Sequence, residues 1–92
     1  MANESERFAA LADPTRREIF ERLSKRPLAV GEIAAGMTVT RPAVSQHLKV
    51  LKETGWIEGE IDGPRVCYCP TSGAMARFKE LLQGLDPGER RS

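Results

Sequence analysis

Ninety-two residues are enough for one compact domain, and 40% hydrophobic with 29% charged residues is a globular balance that excludes a disordered chain. No apolar run is long enough to span a membrane, and the N-terminal residues lack a signal-peptide pattern, so we expect a cytoplasmic protein with no membrane partner. The net charge is only +1, but residues 24–54 hold five Lys or Arg and two Glu, so the positive charge is concentrated mid-chain.

Apolar spacing predicts three helices in the first forty residues. The first covers about Glu4 to Ala12. Asp13-Pro14 is typical of an N-cap followed by the first residue of a second helix, which ends near Arg26. The third helix is short, about Val30 to Met37, and its start is poorly capped because Ala29 stands where a Ser or Thr would help.

The fourth predicted helix is the most informative segment. It begins with Thr40 as its N-cap and ends at about Thr54. Val44, Leu48 and Leu51 form its buried stripe, and the opposite surface is polar and basic. Because an α-helix fits the major groove of duplex DNA, we expect helix 40–54 to read base edges there.

Five side chains of this helix are candidate DNA contacts. Gln46 suits the bidentate hydrogen-bond pattern of adenine. Arg41 and Lys49 suit guanine or phosphate, and Ser45 and Thr40 suit phosphate. The helix N-terminus adds a partial positive charge that favours phosphate.

A hairpin follows this helix and supplies the predicted wing. Its strands run from Ile57 to Asp62 and from Arg65 to Pro70, around a Gly63-Pro64 turn. The first strand carries three acidic residues on one face, which phosphate would repel. We therefore expect only the tip of the wing to approach DNA.

Two further side chains are candidate contacts beside that surface. Arg65 is the only basic residue of the hairpin and lies at its tip. His47 borders the buried stripe of the fourth helix, where a phosphate contact and a bracing role are both open.

The last predicted helix covers about Ser72 to Gly84 and closes the domain, which we assign to residues 1–85. Residues 86–92 contain no apolar side chain and are predicted to be a flexible tail. The element order is therefore α-α-α-α-β-β-α, a mainly helical α+β fold of the winged helix-turn-helix type.

Cys67 and Cys69 are predicted on the same face of the return strand. A two-residue turn sets Glu60 opposite Cys67 and Glu58 opposite Cys69. Our interpretation is that both cysteines are small strand residues, and the alternative is a thiol switch or a soft-metal site. Nearby carboxylates disfavour the thiolate and so weigh against the alternative.

Catalysis has little support in the sequence. The chain has one histidine, no Gly-rich phosphate loop and no nucleophile with an evident base. We therefore predict a protein that is not an enzyme and has no cofactor.

Several stretches of the chain resemble the ArsR-type family of small bacterial regulators. They are Leu11-Ala-Asp-Pro-Thr-Arg-Arg-Glu-Ile19, Leu28-Ala-Val-Gly-Glu-Ile-Ala34, Pro42-Ala-Val-Ser-Gln-His-Leu-Lys-Val-Leu-Lys-Glu-Thr-Gly55 and the hairpin to Tyr68. The similarity covers about residues 8–82. It implies a dimer joined through the first and last helices, and an operator with two-fold symmetry.

Apolar residues of those two helices agree with the implied dimer, because a small domain does not easily cover them alone. The candidate interface residues are Phe8, Leu11, Met75, Phe78 and Leu82.

The chain departs from metal-sensing members of that family. Ala29 and Gly31 stand where those members carry two cysteines in the third helix, and the one histidine lies outside the last helix, where other members hold metal ligands. The usual metal-site motifs are therefore missing, and no inducer follows from the sequence. Thr38 occupies a turn that often holds glycine, so we expect a different local turn.

The sequence thus predicts a homodimeric, sequence-specific DNA-binding transcription regulator, and specifically a repressor. Two alternatives stay open. One is a thiol- or metal-responsive regulator acting through Cys67 and Cys69. The other is a winged-helix module that binds protein instead of DNA, and the observation behind it is the acidic wing.

Overall fold

A computed structural model of the chain describes residues 3–84, and the predicted tail 86–92 lies outside them. The elements are α1 (Glu4–Ala12), α2 (Pro14–Lys25), α3 (Val30–Ala35), α4 (Arg41–Glu53), β1 (Ile57–Asp62), β2 (Arg65–Pro70) and α5 (Ala74–Gly84). The predicted order and the winged helix-turn-helix architecture are confirmed.

Side-chain caps set the start of the longer helices. Asp13 Oδ1 accepts the Thr15 backbone N–H at 2.9 Å, and Pro14 occupies the first turn of α2. Thr40 Oγ1 accepts the Ala43 backbone N–H at 3.3 Å and begins α4. Both caps lie where the sequence predicts them.

The turn between α3 and α4 begins two residues earlier than predicted. Helix α3 ends at Ala35 instead of Met37, because the Gly36 N–H already bonds back to the Ile33 carbonyl at 3.1 Å. No residue other than glycine has a positive φ among residues 3–84, so the turn that contains Thr38 forms without a left-handed residue. Gly36 opens this turn with a φ of −94°, so the turn contains a glycine but does not use its left-handed conformation.

An aromatic cluster ties α2 and α5 to the start of the wing. The Phe20 ring lies edge-on to Trp56 and to Phe78, with centroid distances of 5.6 and 5.1 Å. Trp56 Nε1 donates to the Arg7 carbonyl at 2.8 Å, which fastens α1 to the same centre. The other buried core residues are Ala10, Leu11, Ile19, Leu23, Leu28, Ile33, Val44, Leu48, Leu51, Ile57 and Ala74.

The wing is a two-stranded antiparallel hairpin whose predicted register is confirmed. Glu60 pairs with Cys67 and Glu58 pairs with Cys69. Beyond the hairpin, β2 forms a bridge to Leu28, where the Tyr68 N–H donates to the Leu28 carbonyl at 2.8 Å. Because Leu28 lies just before α3, this bridge anchors the wing to the helix-turn-helix.

Among the described residues, no helix combines the length and the apolar character that crossing a membrane requires.

Candidate nucleic-acid interface

One side of helix α4 is buried in the core, and the opposite side is exposed to solvent. Val44, Leu48 and Leu51 are at most 2% exposed and pack into the core. The predicted contact residues of this helix and its cap are exposed, and His47 is half-buried beside them. The exposed ones are Thr40, Arg41, Ser45, Gln46 and Lys49. The helix therefore presents a continuous polar surface on a rigid element.

The N-terminal end of this surface offers several hydrogen-bond donors. The Thr40 oxygen is used by the cap, so its O–H remains a donor. The Arg41 guanidinium packs against α3 beside Gly31. A Cβ added to Gly31 would lie 2.5 Å from Arg41 Nη2, which is too close for a non-bonded contact. Gly31 thus leaves space that the Arg41 guanidinium occupies.

Arg41 and Arg65 meet at one surface depression between α3, α4 and β2. The structure therefore brings together two predicted contacts from different elements. Arg65 does not extend freely into solvent, because its Nη2 donates to Glu32 Oε1 at 2.7 Å. A phosphate that binds Arg65 must compete with this carboxylate.

Glu32 has a second partner besides Arg65. Its Oε1 also accepts the Ala29 backbone N–H at 2.9 Å, which supplies the helix start that Ala29 itself cannot cap. The Ala29 hydrogen bond and the positive charge of Arg65 both lower the pKa of Glu32, so this carboxylate is ionised at neutral pH.

His47 contacts α2 instead of standing alone. Arg16 Nη1 lies 3.4 Å from His47 Nδ1. Because a guanidinium only donates, this contact requires Nδ1 to accept, which leaves Nε2 to carry the ring proton. This contact fits the bracing role, and it leaves Nε2–H as the donor for a phosphate.

The wing has faces of different character. By strand register, Glu58, Glu60 and Asp62 share one face, and each is exposed. The other face carries Ile61 and Val66, which are 80% and 38% exposed. A phosphate backbone would meet repulsion on the first face, and the second offers no charge.

The two thiols lie on the acidic face of the hairpin. Cys67 is buried, and its Sγ accepts a hydrogen bond from Arg65 Nη2 at 3.4 Å. Burial raises the pKa of the Cys69 thiol, and the charges of Glu60 and Glu58 raise it further. Cys69 is therefore a protonated thiol of low reactivity at neutral pH.

Across residues 3–84, no three His, Cys, Asp or Glu side chains group in a way that could hold a metal ion.

The residues predicted for a dimer surface divide into three groups by their exposure. Leu11 and Phe78 are 1% and 5% exposed and belong to the core of the chain itself, so they offer no surface to a partner. Phe8 is half-buried and packs against that core. Met75 and Leu82 are 36% and 41% exposed on α5, so they carry the remaining apolar surface.

Glu32 is a residue of this surface that the sequence pattern alone did not identify as a partner of Arg65. A glutamate three residues after the start of a helix is a known capping signal, and it stands at that spacing from Ala29. Its pairing with Arg65, 33 residues along the chain, depends on the bridge between β2 and Leu28.

Comparison with known proteins identifies the family. Residues 11–60 match the family model of a helix-turn-helix domain. The HTH-type transcriptional regulator Rv2034 of Mycobacterium tuberculosis is 58% identical over 61 residues, which are 66% of this chain and 57% of that protein. The transcriptional repressor SdpR of Bacillus subtilis is 34% identical over 61 residues, 66% of this chain and 68% of that protein. This chain thus spans little more than half the length of the Rv2034 relative.

Solved structures agree with the sequence relatives. The homodimeric winged helix-turn-helix DNA-binding domain of Mb0332 from Mycobacterium bovis, described as a possible ArsR-family transcriptional regulator, superposes with a TM-score of 0.77. The two are 28% identical, and the match covers 88% of this chain and 75% of that one. With a family model over more than half of its residues and this fold, the chain belongs to the ArsR-type family of winged helix-turn-helix regulators.

Proposed function

We propose that this chain binds duplex DNA as a homodimer in the cytoplasm and represses transcription by occupying a promoter. Each copy places the exposed face of α4 in a major groove. Gln46 reads a base, Arg41 and Lys49 contact guanine or phosphate, and Thr40, Ser45 and His47 contact the backbone. The winged-helix domain covers residues 1–85, and its role is binding without catalysis.

The observation that carries this proposal is the open polar face of a helix whose other side is locked into the core. Readout of bases requires side chains held by a rigid element, and the buried stripe at Val44, Leu48 and Leu51 supplies that rigidity. Family membership supports the same role, since the relatives named above are transcriptional regulators.

A salt titration of duplex binding tests the proposal. Phosphate contacts release counterions, so log K should fall linearly with log[salt], with a slope of about −0.9 for each phosphate contacted. We expect a slope steeper than about −4 from two copies that each make several contacts. A duplex affinity that is undetectable at low salt would reject DNA binding.

The acidic wing favours one second candidate, a winged-helix module that binds a protein partner. The exposed carboxylates Glu58, Glu60 and Asp62 would attract a basic protein surface. The same titration separates the two roles, because only the DNA-binding role requires duplex affinity.

A thiol-responsive role through Cys67 and Cys69 has weaker support, since Cys69 is held protonated and Cys67 is buried. Comparing the oxidant response of duplex binding in the wild type and in a Cys67→Ser/Cys69→Ser variant tests it. Identical responses would end this alternative.

A further inference from the structure

A polar cavity lies at the opposite end of α4 from Arg41. Its wall includes Thr54 and Gly55, which follow α4, and Ser72, which precedes α5. The 13 residues of α4 make a helix about 20 Å long, so this cavity is distinct from the N-terminal half of the DNA-reading face.

Two arginines line the cavity, Arg7 from α1 and Arg77 from α5. Of the described residues that line it, none is an aspartate or a glutamate. Within residues 3–84, neither guanidinium lies at ion-pair distance from a carboxylate. Two positive charges therefore share a concave site that the described residues do not neutralise.

One nitrogen of the Arg7 guanidinium is buried without a hydrogen-bond partner among the described residues. This nitrogen is Nε. A buried charged donor without a partner is costly, because it has lost water and gained nothing in return. An anion beside the rest of this guanidinium would compensate its charge.

The wall of the cavity is held firmly before any ligand arrives. Trp56 Nε1 donates to the Arg7 carbonyl at 2.8 Å and fixes the backbone from which the guanidinium extends. Thr71 Oγ1 donates to the Gly55 carbonyl at 2.8 Å and fixes the opposite segment. A preorganised wall lowers the entropic cost of binding.

We propose that this cavity binds a small oxyanion, the phosphate or carboxylate group of a small molecule, between Arg7 and Arg77. The guanidinium groups supply charge-assisted hydrogen bonds, and the Ser72 hydroxyl adds a neutral donor. The bound anion connects α1 to α5. This inference does not depend on DNA binding.

Calorimetric titration of the full chain with sodium phosphate and with sodium succinate tests the proposal, with sodium chloride at equal ionic strength as the reference. We expect saturable binding of at least one oxyanion and none of chloride, and the tighter of the two identifies the preferred group. Thermal unfolding in the same buffers should show a higher Tm with the oxyanion, because a ligand of the folded state stabilises it.

The variants Arg77→Gln and Lys79→Gln form a matched pair, since both remove an exposed positive charge from α5 and only Arg77 lines the cavity. We expect Arg77→Gln to weaken oxyanion binding about tenfold or more and Lys79→Gln to leave it within about twofold. Absence of binding above the chloride reference would overturn the proposal. Equal affinity of Arg77→Gln and the wild type would also overturn it.

Discussion

Arg65, the predicted phosphate contact at the tip of the wing, is held by the carboxylate of Glu32. The Glu32–Arg65 ion pair is partly exposed, with side-chain exposures of 35% and 47%. Such a pair is weak, so a phosphate can displace the carboxylate from Arg65. DNA binding through the wing tip therefore requires Arg65 to leave Glu32. We therefore predict that Glu32 affects duplex affinity without a contact of its own to DNA.

We predict that Glu32→Gln strengthens duplex binding by about threefold to tenfold, because Arg65 no longer has a competing charge. Gln keeps an acceptor for the Ala29 N–H, so α3 should keep its start. The salt slope should become steeper by about 1 for each protomer as Arg65 gains its phosphate. Fluorescence anisotropy with a labelled duplex measures both quantities.

The control for that experiment is the same substitution in an Arg65→Ala background. If Glu32 acts by holding Arg65, Glu32→Gln gains much less affinity in that background. An equal gain in both backgrounds would mean that Glu32 only repels DNA as a nearby negative charge, and the competition would be refuted.

Exposure of the polar residues on α4 was predictable from helical periodicity, whereas their partners were not. Val44, Leu48 and Leu51 define the buried side, so the opposite side follows from the spacing alone. The contacts of His47 with Arg16 and of Arg65 with Glu32 join residues 31 and 33 positions apart. Such pairings depend on tertiary packing, which local spacing does not encode.

Most helix ends and strand pairs were predictable because short-range chemistry determines them. The cap at Asp13 and the two-residue wing turn each act within a few residues. Helix α5 begins at Ala74 instead of Ser72, because Gly73 has φ of +83°, which a right-handed helix does not allow. The sequence pattern of apolar residues alone gives no sign of that backbone turn.

The end of α4 depends on Gly55, whose φ of +85° lies in the left-handed region. We predict that Gly55→Ala lowers the free energy of unfolding by about 1 kcal/mol, because a side chain disfavours that backbone conformation. Gly55→Asn should lose less, since asparagine tolerates the left-handed region better. Urea unfolding measures both, and equal stability of wild type and Gly55→Ala would contradict the assignment.

The proposed dimer is the least predictable feature from sequence. Leu11 and Phe78 share helical faces with exposed residues, but the fold places them in its own core. Periodicity identifies an apolar stripe and does not tell whether the same chain or a partner covers it. We propose that a second copy packs against the apolar side chains of α5 that stay exposed, Met75 and Leu82.

We predict that Leu82→Asp converts the dimer to monomer, raising the dimer dissociation constant at least about tenfold, because a buried charge without a partner is unfavourable at an interface. The neighbouring Gln83→Asp is the control, since it adds the same charge at an exposed polar position. Sedimentation velocity over a concentration series measures both. A Leu82→Asp protein that remains as dimeric as the wild type would place the interface elsewhere.

Selection of genomic DNA fragments by the wild type and by Gln46→Ala and Lys49→Ala tests the proposed reading surface most directly. We predict that Gln46→Ala loses preference for one base at equivalent positions of two half-sites and binds the matched site about 1–3 kcal/mol more weakly. Lys49→Ala should weaken all sequences alike if it contacts phosphate. Variants that select the same fragments with wild-type affinity would contradict the placement of α4 in the major groove.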